Sequence, residues 1–152
     1  MSQAKVKYEG RIFMGLDLML YRKSDYEKEM TEGCVDELAY GRKTWSIWHW
    51  FKNREDSTVL DDYTIFITKD SYIAFCETLL PYKPYLKHIA STPLELLTEL
   101  DYKTAEYIYR QISDDYPALG YDWDCAAFYR WMEVLPEVME VDDDYLVLYA
   151  SY

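Results

Sequence analysis

The pattern that most constrains this chain is a pair of β-type segments, one near each end, with mostly helical patterning between them. Leu16, Leu18 and Leu20 alternate with Asp17, Met19 and Tyr21 across Gly15 to Tyr21, the period of two of a half-buried strand. Tyr145-Leu146-Val147-Leu148-Tyr149 reads as a closing strand. Tyr63-Thr64-Ile65-Phe66-Ile67, dense in β-branched and aromatic residues, reads as a third. Strands separated by helices of unequal length point to an α+β fold: a small, mostly antiparallel sheet of about three or more strands, covered by several helices.

Arg22 to Glu32 is polar and charged and is expected to be a loop. Val35 to Asn53 is expected to be one helix, with Val35, Leu38, Ala39, Ile47, Trp48 and Phe51 as its apolar stripe. Gly41 inside that helix would cost about 1 kcal/mol relative to Ala, which suggests close packing there. Thr68 or Asp70 is expected to cap a helix carrying Tyr72, Cys76 and Leu79, ended by Pro81 and Pro84. Thr92-Pro93 reads as a helix start, followed by Leu94, Leu97, Leu100, Ala105, Ile108 and Ile112 in one helix or two. After a loop from Asp114 to Tyr121, Asp122 or Asp124 is expected to cap a helix that Pro136 interrupts or ends.

Half of the 152 residues are apolar and 18% are aromatic. A chain this long buries about 68–70% of its unfolded surface and needs no covalent staples. Cys34, Cys76 and Cys125 are odd in number and have no CxxC spacing, so they read as small buried residues rather than a disulfide framework or zinc site. No apolar run approaches the roughly 18–20 residues that cross a bilayer. The opening MSQAKVKYEG also lacks the apolar stretch of a secretory signal, so a cytoplasmic location is expected.

Charge is distributed unevenly. Residues 1–92 carry 14 acids and 13 bases, a balance of −1, whereas residues 93–152 carry 14 acids against Lys103, Arg110 and Arg130, a balance of −11. Such a field repels nucleic-acid phosphates and anionic membranes and is complementary to a basic protein surface. The candidate binding residues are Glu133, Glu137 and Glu140, spaced along one helical face, and Asp142, Asp143 and Asp144, which extend the track towards the last strand. Asp114, Asp115, Asp122 and Asp124, with Tyr116 and Tyr121 as interface anchors, complete the set. A solvated acidic face that keeps the protein soluble is the plainer account of the same charges.

Catalytic signals are weak. His49 and His88 are the only histidines, and neither neighbours a Ser or Cys in a recognisable nucleophile context. Paired acids could meet a hard cation, but the calcium-loop pattern is absent and the five glycines form no phosphate-cradling loop. No metal and no cofactor is expected. A small ligand-binding module or metal-dependent enzyme using Asp122, Asp124 and nearby tyrosines is the alternative reading.

Met14-Gly15-Leu16-Asp17-Leu18-Met19-Leu20-Tyr21 resembles the opening of a group of uncharacterised phage and prophage proteins that begin M-G-L-D-hydrophobic-Y-L. Ala39 to Phe51 (AYGRKTWSIWHWF) is similar to that group's A-Y-W-R-K-A-N-x-I-H-x-W-F segment. Here Gly41 stands for the group's Trp, Trp45 for its Asn and Trp48 for its His. The resemblance makes residues 1–13 an N-terminal extension ahead of one α+β domain over 14–152. It implies a small accessory protein of a phage or mobile element. With the acidic half, that context gives the expected function: inhibition of a host protein with a basic nucleic-acid-binding groove, of the anti-restriction or anti-CRISPR type, through a DNA-mimicking surface. Direct nucleic-acid and membrane binding are not expected.

Overall fold

The computed structural model describes residues 17–33, 36–114 and 120–151. The extension 1–13, Gly15, Leu16, Cys34, Val35, Asp115 and Tyr116 fall outside those residues. The elements follow in the order β1 (Asp17–Arg22), α1 (Lys23–Glu32), β2 (Ala39–Arg42), α2 (Trp45–Lys52), β3 (Thr58–Val59), β4 (Thr64–Ile67) and α3 (Lys69–Leu79). Then come α4 (Lys83–Ser91), α5 (Glu99–Ile112), α6 (Tyr121–Glu133), α7 (Leu135–Met139) and β5 (Leu146–Ser151), with single 3-10 turns at Leu80–Tyr82 and Leu94–Leu96.

The strands form one antiparallel sheet in the order β2-β1-β5-β4-β3. The segments expected at the two ends of the chain are its central pair, in register from Asp17 opposite Ser151 to Arg22 opposite Leu146. Alternation then sorts the side chains. Leu18, Leu20, Ile65, Ile67, Leu146, Leu148 and Ala150 face the main core, where Phe51, Tyr72, Phe75, Phe128 and Trp131 fill the space beneath the helices. Met19, Tyr21, Phe66, Val147 and Tyr149 take the opposite face. There α1 lies on the sheet through Tyr26, whose ring is 6.1 Å from that of Tyr21 and 5.8 Å from that of Tyr149.

Several local expectations are corrected. Arg22 to Glu32 is not a loop: Lys23–Glu32 is helical although it buries no residue, because the sheet supplies the aromatic contacts that its own sequence does not advertise. The single helix expected over 35–53 is a strand followed by a helix. Ala39 and Gly41 pair with Leu20 and Leu18, and the chain turns at Lys43, with φ 58°, before α2 begins. Close packing at Gly41 does occur, but in a strand. A Cβ there would stand 2.6 Å from Thr44 Oγ1 and 3.3 Å from Trp131 Nε1.

The outer edge of β2 is covered rather than left open. Trp131 Nε1 donates to the Tyr40 carbonyl at 3.0 Å and Trp123 Nε1 to the Arg42 carbonyl at 2.7 Å. Alternate carbonyls of a strand point the same way, so two indoles from α6 satisfy the edge acceptors that would otherwise invite another chain.

Of the proline and threonine expectations, only the Thr92 helix start is overturned. Thr68 does cap α3, accepting from the Ser71 N–H at 3.0 Å. Pro81 and Pro84 follow the end of α3 at Leu79, as expected, and the chain goes on as a 3-10 turn and then α4. Each sits in the first turn of the next segment, where the missing N–H has no partner to lose. Thr92 is not a cap. Thr98 caps α5 in a reciprocal box with Asp101, and residues 99–112 are one helix. Pro136 separates α6 from α7, as expected.

Candidate functional site

Helix α6 organises the acidic residues, because its apolar side fixes which carboxylates can reach solvent. Cys125, Phe128, Trp131 and Met132 are buried on one side of it. Beyond its end, Val138 and Val141 are buried as well, which pins the chain from α7 to β5 against the core. The intervening carboxylates therefore turn outward: Glu133, Glu137, Glu140, Asp142 and Asp144 are exposed and Asp143 is half-buried. The stretch 133–144 holds six acids and no basic residue.

Neighbouring cations touch this corner at few points. Lys83 Nζ lies 3.2 Å from Glu133 Oε2, an exposed pair worth no more than about 1 kcal/mol. Lys69 Nζ donates to the Met139 carbonyl at 3.4 Å, not to a carboxylate. Asp143 Oδ2 accepts from the Ser24 N–H at 3.5 Å in the first turn of α1, where a negative charge also suits the helix dipole.

The remaining predicted residues gather at the other end of α6, about 18 Å away at 1.5 Å per residue. Tyr121 accepts a hydrogen bond from Arg110 Nη2 at 3.0 Å, and its ring stands 5.2 Å from that of Tyr109. Asp114 is exposed, and its carbonyl accepts from Arg110 Nη1 at 3.2 Å. Asp122 is half-exposed in the first turn of α6. Asp115 and Tyr116 lie outside the described residues. The predicted set thus divides into a dense corner at 133–144 and a sparser group around Asp114, Tyr121 and Asp122.

Asp124 leaves the set. It is 2% exposed and does not cap α6, whose N-cap is Gly120. Ser46 Oγ donates to its Oδ2 at 2.6 Å, while Oδ1 has no protein partner. Burial, opposed by the Ser46 hydrogen bond and reinforced by Asp122, pushes its carboxyl up to about 6. Ser46 is itself buried, so this Ser–Asp pair is a packed contact rather than an accessible nucleophile.

Two shallow clefts meet at His49, and the sequence pattern did not single them out. One, of about 340 Å³, runs between the C-terminal ends of α2 and α5 and is lined by His49, Trp50, Asn53, Arg54, Ser113 and Asp114 among others. The other, of about 360 Å³, is lined by Trp45, Trp48, His49, Lys52, Asp62 and Tyr63. Burial, with Lys52 nearby, holds the His49 imidazole below its ordinary value, which favours the neutral ring. The Trp-rich composition of residues 45–50 was the only sequence signal for these clefts, because α5 reaches His49 from far along the chain.

Cys76 and Cys125 are buried free thiols. Burial raises the Cys76 thiol to about 12 and raises Cys125 as well, which leaves neither as a ready nucleophile. Among the described residues no group of three or more His, Cys, Asp or Glu side chains is placed to hold a metal ion, and no helix is long and apolar enough to cross a membrane. Comparison with protein-family models, curated proteins and solved structures finds no match.

Proposed function

We propose that this chain is a non-enzymatic binding protein, an accessory factor of a phage or mobile element that inhibits a host nucleic-acid-handling protein by occupying its basic groove. The observation that carries the reading is the 133–144 corner, where six carboxylates follow one another around buried Val138 and Val141 with no basic residue among them. A surface of this kind can stand in for duplex phosphates. It speeds encounter with a cationic groove and sets orientation, while tightness comes from desolvated anchors nearby. The resemblance to phage and prophage proteins supplies the biological setting, and the −11 balance of residues 93–152 supplies the long-range field.

The test is capture from a bacterial lysate at about 50 and about 500 mM salt, with bound proteins identified by mass spectrometry. A nucleic-acid enzyme retained at low salt and lost at high salt supports the reading. Reversal of Glu133, Glu137 and Asp142–Asp144 to lysine should abolish that retention without changing the circular dichroism spectrum. Retention that persists through charge reversal overturns the reading.

A second reading rests on the clefts at His49. Their indole, imidazole, amide and carboxylate linings suit a small polar ligand with a flat ring. A thermal-shift screen with nucleotides, Mg²⁺ and Mn²⁺ decides it, since a ligand at 100 times its Kd adds about 2.7 kcal/mol.

A further inference from the structure

Helices α4 and α5 lie side by side and antiparallel. Tyr82, just before α4, meets Tyr107 late in α5 with ring centroids 5.9 Å apart, and His88 late in α4 meets Asp101 early in α5 at 3.2 Å. Their inner sides reach the core through Leu86, Ile89, Ala105, Ile108 and Tyr109. The outer side of this seam is also apolar. Leu100 and Tyr107 fall on one stripe of α5 at i and i+7. They are 72% and 58% exposed, Tyr85 on α4 is 57% exposed, and Leu94 and Leu96 in the connection are 63% and 67% exposed. Scattered exposed leucines are ordinary, but five large side chains crowded around one helical hairpin are not.

The same segment carries no net charge. Residues 80–112 carry Lys83, Lys87, Lys103 and Arg110 against Glu95, Glu99, Asp101 and Glu106, a net charge of zero. The chain as a whole carries −12, so all of the net negative charge lies outside this segment. Two acidic molecules repel each other over most of their surfaces. The α4–α5 seam carries no net charge, so a second copy docking there across a two-fold axis meets little net repulsion.

The area is sufficient. The five fractional exposures amount to about three fully exposed large side chains. At about 200 Å² each, that is roughly 600 Å² per copy and roughly 1,200 Å² across a pair, the lower bound for a specific interface. We propose that the chain forms a two-fold homodimer through the α4–α5 seam, centred on Leu96, Leu100 and Tyr107. The partner is therefore a second copy of this chain. The proposal is independent of the acidic-corner reading.

Sedimentation velocity of the purified full-length protein between about 5 and about 200 μM tests it, at both about 150 and about 500 mM salt. The expected result is a concentration-dependent dimer that survives high salt, because the contact is apolar and neutral. The double substitution Leu96→Ser/Leu100→Ser should weaken association at least tenfold, and Tyr107→Ser independently should do the same. Both variants should keep the wild-type circular dichroism spectrum, since all three side chains are exposed. A wild-type monomer across the whole range overturns the proposal, as does a dimer equally stable in both variants. Loss of the dimer at high salt overturns it too, by moving the contact to charged surfaces.

Discussion

Replacing Asp124 with Asn should flatten one component of this protein's pH dependence, and the size of the effect follows from the structure. The carboxyl is buried beside Ser46 and titrates near 6 instead of its ordinary 3.8. The unfolded chain therefore releases its proton at lower pH than the folded chain does. A raised carboxyl stabilises the fold relatively at low pH and loses that contribution as pH rises from about 4 to about 6. The gap between 3.8 and about 6 corresponds to about 3 kcal/mol at neutral pH, at 1.36 kcal/mol per unit. A small part of the penalty is already present at pH 4, which leaves about 2 kcal/mol between pH 4 and 7. Asn does not titrate. Whatever its amide N–H groups contribute beside Ser46 is the same at every pH.

The quantity to measure is the stability difference between Asp124→Asn and wild type, from urea unfolding at half-unit steps between pH 4 and 7.5. The carboxylates common to both proteins cancel in this difference. It should move in favour of the variant by about 2–3 kcal/mol across the range, most of it below pH 6.5. At about 2–4 °C per kcal/mol for a domain of this size, the melting-temperature gap should open by about 5–10 °C. A difference that stays constant from pH 4 to 7.5 would refute the reasoning. It would mean that water or a cation reaches Oδ1 and keeps Asp124 ionised in the folded state.

Further tests address the fold. Gly41→Ala should destabilise by about 1–3 kcal/mol in chemical unfolding, because the new Cβ enters the space of Thr44 Oγ1 and Trp131 Nε1. A stabilisation of about 1 kcal/mol is what a helical Gly41 would give, so the sign separates the two backbones. Thr98→Ala should cost about 1 kcal/mol through loss of the α5 capping box; a change within about 0.5 kcal/mol would argue against the cap. Tyr72→Phe should cost about 1–3 kcal/mol, because the buried Tyr72 hydroxyl donates to the Trp131 carbonyl and no water replaces it in the core. A change within about 0.5 kcal/mol in equilibrium unfolding would contradict that bond.

What could be read from the sequence was set by short-range physics. Strand β1 shows in its alternation, β4 in its β-branched and aromatic content and β5 in a short apolar run, each confined to four to six residues, and the Thr68 cap shows in chemistry confined to one helical turn. The one-sided charge is a property of composition and needs no fold. Tertiary structure decided the rest, through partners far along the chain. Residues 39–42 are apolar enough for a helix or a strand. Pairing with Leu18 and Leu20, and two indoles from positions 123 and 131, made them the sheet edge. Lys23–Glu32 is a helix because Tyr21 and Tyr149 offer Tyr26 a surface to pack on. Asp122 and Asp124 look alike in sequence, yet Ser46, 78 residues away, draws one into the core and leaves the other partly in solvent. Periodicity over a few residues identifies which faces are apolar, but only the packed neighbours determine which polar groups those faces carry inside.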